Sequence, residues 1–177
     1  IPYQSGFEKV VIDKELTEFA FPKNTSVWES HGHEGKYYKV YPFEVKTDCE
    51  LPLTCQTPQG VYGAIMEAGN NHYPRAYLEA PYRKENILRI SLRGEAKGER
   101  GMVTAWRVIS LADEPGKLME QNYLLYNLNE SCKLADTSWI KPGTVMRETT
   151  ISTPECLKMI DYCASMGISY MILDWGW

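Results

Sequence analysis

The stretch Leu173-Asp174-Trp175-Gly176-Trp177 sets a carboxylate among indole rings directly after an apolar run. A carboxylate accepts hydrogen bonds from adjacent hydroxyls, and an indole face covers the apolar side of a sugar ring, so the combination suits a carbohydrate. Ile168 to Leu173 reads as a short parallel strand covered on both faces, which puts Asp174 at the strand's C-terminal end. In barrel enzymes that end gathers the reacting groups. Asp174 and Trp177 are therefore candidate substrate-binding residues. The alternative is an Asp that caps the next loop, with the tryptophans as core.

Three other places could carry chemistry. In Ser138-Trp139-Ile140-Lys141-Pro142-Gly143, Lys141 could reach a substrate hydroxyl or a carboxylate, with Trp139 beside it; a linker turn with a solvated lysine explains the same residues. Glu67 ends an apolar run and is followed by Asn70, Asn71 and His72, an oxygen-rich group that suits a hard cation such as calcium. A single strand-end Glu also serves simply as a surface charge. His31-Gly32-His33 puts two rings on one side of a strand but brings no distant third or fourth ligand, so it is not read as a catalytic metal site. Neither a phosphate-cradling glycine loop nor a Gly-x-Ser-x-Gly elbow occurs.

The elements that must position these groups fall into two parts. From Phe7 to about Asn129 the chain reads as short strands rich in β-branched and aromatic residues: 10–12, 18–21, 36–40, 61–65, 87–92, 103–111 and 122–125. Turn clusters such as Thr57-Pro58-Gln59-Gly60 and Asp113-Glu114-Pro115-Gly116 separate them. Many short strands without crossover helices indicate an antiparallel β-sandwich over residues 1–130. The character changes at 131. Thr153-Pro154-Glu155 opens a helix with a capping hydroxyl, an early proline and an acid facing the helix dipole; the apolar spacing predicts a helix over 154–166, closed by Gly167. Strand, helix and strand within 131–177 make a β-α-β unit, which cannot bury its own edges and reads as the start of a truncated (β/α)8 barrel. The expected fold is thus mainly β: a sandwich, then the first unit of a barrel.

Composition narrows the function classes. At 44% apolar and 12% aromatic, 177 residues can bury a substantial core. The net charge of -4 is spread over mixed-sign segments with no basic stripe, which argues against a nucleic-acid partner. No apolar run approaches the roughly 20 residues of a membrane helix. The five cysteines, an odd number with two at i and i+7 on one helix, suit neither a disulfide framework nor a zinc site.

Taken together these residues resemble glycoside hydrolase family 97. The resemblance rests on Leu51 to Thr54, Thr57 to Gly60, Tyr62 to Ala68, Trp106-Arg107, Ala112-Asp113, Leu118, Asn127-Leu128-Asn129, Asp136 to Gly143 and Tyr170 to Trp177. It implies a sandwich placed before a (β/α)8 catalytic barrel, and a calcium-dependent, exo-acting α-glycosidase working on α-linked oligosaccharides or glycosides. Glu67 would then be a calcium ligand, and Asp174, with Trp177, Lys141 and Trp139, would bind the sugar. Met146-Arg147-Glu148-Thr149-Thr150 lacks the paired tryptophans of the inverting α-glucosidase branch and looks more like the retaining α-galactosidase-like branch. The resemblance puts the nucleophile and acid/base on later barrel strands, so this stretch would be inactive by itself, and it implies a periplasmic or secreted enzyme. A freestanding carbohydrate-binding sandwich is the rival reading.

Overall fold

The computed structural model describes residues 8–32 and 34–175. His33 and Trp177, both singled out above, lie outside the described residues. The chain divides into two compact units, one ending at Ser131 and one starting at Cys132.

The first unit is mainly antiparallel sheet. A five-stranded sheet runs in the order β10 (Trp106–Ala112), β6 (Tyr62–Ala68), β5 (Leu53–Gln56), β3 (Ser26–Glu29), β4 (Tyr38–Val40). A three-stranded sheet runs β2 (Glu18–Ala20), β8 (Ile87–Leu92), β7 (Ala76–Glu79). A two-stranded ribbon joins β1 (Lys9–Ile12) to β9 (Ala96–Glu99). Side chains alternate across a strand, so each strand contributes every second residue to a shared layer. Val27, Leu53, Cys55 and Ile65 from the larger sheet meet Phe19, Ala76, Leu78, Leu88 and Ile90 from the smaller one in one buried cluster. The register sets Ile65 opposite Leu53 on one side and Ile109 on the other. These are the two layers expected of a sandwich.

Strand β6 is buried on both faces, because Ala64, Met66 and Ala68 point away from that core into a second cluster with Val108 and Leu118. The cover on this face is helical and corrects two readings of the sequence. Residues 122–125, read as a strand, form the N-cap and first residues of α2 (Tyr123–Leu128), and the Asp113 to Gly116 turn runs directly into α1 (Pro115–Glu120). Tyr123-Leu124-Leu125-Tyr126 is a short apolar run that fits either period; the open face of β6 decides it by taking up Leu118, Leu125 and Leu128. The five cysteines are free thiols, with Cys49, Cys55 and Cys163 buried.

The second unit is a parallel pair, β11 (Val145–Glu148) and β12 (Tyr170–Leu173), joined by α3 (Thr153–Met166). The cap sits one residue earlier than the sequence suggested: the Ser152 hydroxyl accepts from the Glu155 amide at 3.4 Å. Gly167 closes the helix at φ 66, the left-handed conformation that spares glycine a Cβ clash. Most of the apolar stripe of α3, including Leu157 and Ile160, and the β12 side chains Ile172 and Leu173 are exposed.

Candidate functional site

A polar cluster of the first unit forms where β6 and β10 pair. Their register places Glu67 directly opposite Arg107, and the guanidinium donates to Glu67 Oε2 at 2.8 Å. Its remaining fork grips Glu15, with Nε to Oε1 at 2.9 Å and Nη2 to Oε2 at 2.6 Å. Tyr73 donates its hydroxyl to Glu15 Oε2 at 3.2 Å. The Arg107 side chain is only 9% exposed, so these are partly desolvated, charge-assisted bonds. Burial pushes the Glu15 carboxyl up, but the bonds and charge of Arg107 outweigh it and hold the group below its ordinary range. Burial, together with the Glu15 charge, pushes the Tyr73 phenol up.

Two carboxylates against one guanidinium leave this cluster a net negative charge. Asn70 donates from Nδ2 to Glu67 Oε1 at 3.4 Å, while its Oδ1 is buried with no hydrogen-bond partner among the described residues. An orphaned amide oxygen beside a carboxylate oxygen is a donor set that fits a hard cation such as calcium. It is a partial set. No group of three or more His, Cys, Asp or Glu among the described residues could hold a metal, and calcium takes six to eight oxygens.

In the second unit Asp174 follows the C-terminal end of β12. Its amide donates to the Glu148 carbonyl at 2.9 Å, which continues the parallel ladder by one bond. Its carboxylate pairs with Arg147 Nε at 2.7 Å, and both side chains remain about half exposed. Trp175, next in the chain, adopts φ 124 and is exposed. Trp139 is also exposed, and its indole N–H donates to the Asp136 carbonyl at 3.1 Å. The Lys141 carbonyl accepts from the Tyr170 hydroxyl at 2.8 Å. Tyr170 begins β12 and Asp174 follows its end, so the Lys141 backbone and Asp174 lie toward opposite ends of the strand pair. Arg147, not Lys141, is the cation that meets Asp174.

Two participants were missed in the sequence. Arg107 sits directly opposite Glu67, and Arg147 opposite Ile172, two residues before Asp174, relations that only strand pairing reveals. A fourth acid, Glu148, is buried at the end of β11. It accepts from the Thr150 hydroxyl at 2.7 Å, from the amides of Thr150 and Ile151 at 2.9 and 2.8 Å, and from the Cys156 thiol at 3.5 Å. The Thr150 hydroxyl and amide, with the other donors, pull its carboxyl down to about 2. Four donors on one carboxylate make Glu148 the organiser of the turn into α3 rather than a proton carrier.

His31 Nε2 lies 3.1 Å from Glu29 Oε2, which also accepts from the Lys46 amide at 3.0 Å. That fixes His31 to a buried structural acid.

Comparison with known proteins places this architecture. The family description "Glycosyl-hydrolase 97 N-terminal" matches residues 1–131. A retaining alpha-galactosidase of Bacteroides thetaiotaomicron is 28% identical over an alignment covering 72% of this chain and 24% of that protein. A family 97 glycoside hydrolase from Pseudoalteromonas sp. strain K8, solved with acarbose, superposes with a TM-score of 0.83 at 24% identity, covering 98% of this chain and 30% of that one. A beta-arabinopyranosidase shares the fold at a TM-score of 0.69 and 16% identity, over 98% of this chain and 33% of that one. The chain thus spans about a quarter to a third of the length of these relatives. With its N-terminal region matched over residues 1–131, the chain belongs to glycoside hydrolase family 97.

Proposed function

We propose that this chain is the N-terminal part of an exo-acting α-glycosidase of the retaining, α-galactosidase-like branch, and that Asp174 binds hydroxyls of the terminal sugar. The observation that carries the reading is the position of Asp174: a half-exposed carboxylate, aligned by Arg147, at the C-terminal end of a parallel strand reached through α3. The exposed Val145, Ile172 and Leu173 support a unit that continues into a barrel, since a two-stranded parallel pair with bare apolar side chains is not a closed core. Trp177 would add an aromatic face to the same sugar pocket; Trp139 and Lys141 precede β11, toward the other end of the strand pair, and are not assigned to it. The retaining alpha-galactosidase at 28% identity supports galactose over glucose as the substrate's terminal sugar.

Within this reading, Glu67 Oε1 and Asn70 Oδ1 would hold a calcium ion together with oxygens from further along the enzyme. The ion would supply a fixed positive charge. Arg107 holds the Glu67 carboxylate in place, and Glu15 neutralises that guanidinium so that it does not repel a cation. Retention requires a nucleophilic carboxylate and an acid/base about 5 Å apart. The reading assigns both to later barrel strands, so the 177-residue chain by itself is inactive. A periplasmic or secreted location goes with the class of substrate.

The test is steady-state kinetics of the complete gene product on an aryl α-galactoside and an aryl α-glucoside. Asp174→Ala should lower kcat/KM by about 100-fold or more, as expected when a hydrogen bond that strengthens in the transition state is lost. Glu67→Gln should raise the calcium concentration that restores activity after chelation. Near-normal kinetics in the first variant would place Asp174 outside the pocket, and an unchanged calcium requirement in the second would remove Glu67 from the metal site.

A further inference from the structure

The first unit also contains a groove of about 830 Å³ that none of the groups above uses. It opens between the short 3-10 turn Pro42–Glu44 and the segment 80–86 that joins β7 to β8. Tyr73 precedes β7 and segment 80–86 follows it; Glu15 precedes β2, and the groove residue Asn24 follows it. The groove therefore lies at the end of the three-stranded sheet away from the Glu15–Arg107–Glu67 cluster.

Its walls combine flat apolar rings with polar groups. Tyr41 and Phe43 lie within 10° of parallel, their ring centroids 5.8 Å apart. Tyr82 is 83% exposed, and the Arg83 guanidinium stands 4.9 Å from its ring centroid. Asn24 and Asn86 add amide groups. Each ring is mounted on a fixed support. The Tyr41 amide donates to Glu44 Oε2 at 2.8 Å, and the Glu44 amide returns a bond to the Tyr41 carbonyl at 2.9 Å. The Tyr82 turn is closed by the Lys84 amide on the Pro81 carbonyl at 3.2 Å and tied to β2 by Lys84 Nζ on Glu18 at 2.7 Å.

Arg83 occupies the third position of that turn at φ 61, a left-handed conformation in which such turns favour glycine. An arginine held there is strained, and strained non-glycine residues gather where a side chain has a task beyond folding. Exposed aromatic rings on rigid turns, interleaved with amides and a guanidinium, are what a pyranose requires: a flat surface for its C–H face and donors and acceptors for its hydroxyls. The charges are mixed, with Lys84 already paired to Glu18, so the groove lacks the basic stripe a nucleic acid would need.

We propose that this groove is a second, non-catalytic carbohydrate-binding site, with Tyr82 stacking on a sugar ring and Arg83, Asn24 and Asn86 bonding its hydroxyls. The proposal rests on the reading of the protein as sugar-acting, but it uses residues separate from Asp174, so either can fail alone. The experiment is calorimetric titration of the 177-residue chain with galactomannan oligosaccharides and with malto-oligosaccharides, alongside thermal unfolding. The wild type should bind at least one series. Tyr82→Ala should weaken that binding by about tenfold or more, the usual worth of an aromatic contact. Arg83→Gly should weaken it too while leaving the melting temperature unchanged or raised, because glycine relieves the turn; a merely structural arginine would show no loss of binding. Binding should persist in Asp174→Ala. No binding by the wild type, or binding indifferent to both groove variants, would overturn the proposal. Loss in Asp174→Ala alone would overturn it while supporting the pocket under Proposed function.

Discussion

At Arg107 a single guanidinium holds two acids of the sandwich in place, and its removal strips both of their partner. Arg107→Met leaves Glu15 and Glu67, both largely buried, without a countercharge, which should cost about 3 to 5 kcal/mol in urea unfolding. Adding Glu15→Gln should recover part of that loss, and a double-mutant cycle measures the coupling. Glu148 provides a pH signature in the second unit. Its carboxyl titrates near 4.5 when unfolded and about 2 when folded, so the stability it lends is complete above about 4.5 and disappears as pH falls toward 2. Acid titration of the helical signal should show that loss, and Glu148→Gln should flatten it. Glu148 was silent in the sequence because its donors, Thr150, Ile151 and Cys156, are ordinary residues until the turn brings them around it.

At the scale of elements, α3 was the most legible. Its cap, proline, acid and closing glycine each act through the local backbone, and local backbone rules survive any tertiary context. Gly167→Ala tests this directly. Nothing lies within 4 Å of the added methyl, so the cost should be that of the left-handed backbone, about 1 kcal/mol, read as a lower melting temperature with unchanged helix content. Helix α2 was illegible for the opposite reason. Leu124, Leu125 and Leu128 fit two periods, and what selects the helix is the open face of β6, built from Ala64, Met66 and Ala68 some 60 positions earlier.

At the scale of the whole molecule, the mainly antiparallel sheet character of the first unit could be read from strand punctuation, although β3, β5, β7 and β9 were not among the strands read from the sequence. Asp174 was visible as an acid at a strand end. Its partner Arg147 was not, because the parallel register that sets Arg147 opposite Ile172, within reach of Asp174, leaves no trace in either segment. The same holds for Glu67 and Arg107, 40 positions apart. The groove between Tyr41 and Tyr82 escaped notice because its rings come from two turns of unremarkable composition.

The central proposal is that these residues are part of a larger glycosidase, with Asp174 on a barrel strand. Reading the source gene past the codon for Trp177 tests it most directly. The account expects an open frame of several hundred codons, with further strand-helix repeats whose strands end in Asp or Glu; an immediate stop codon would contradict it.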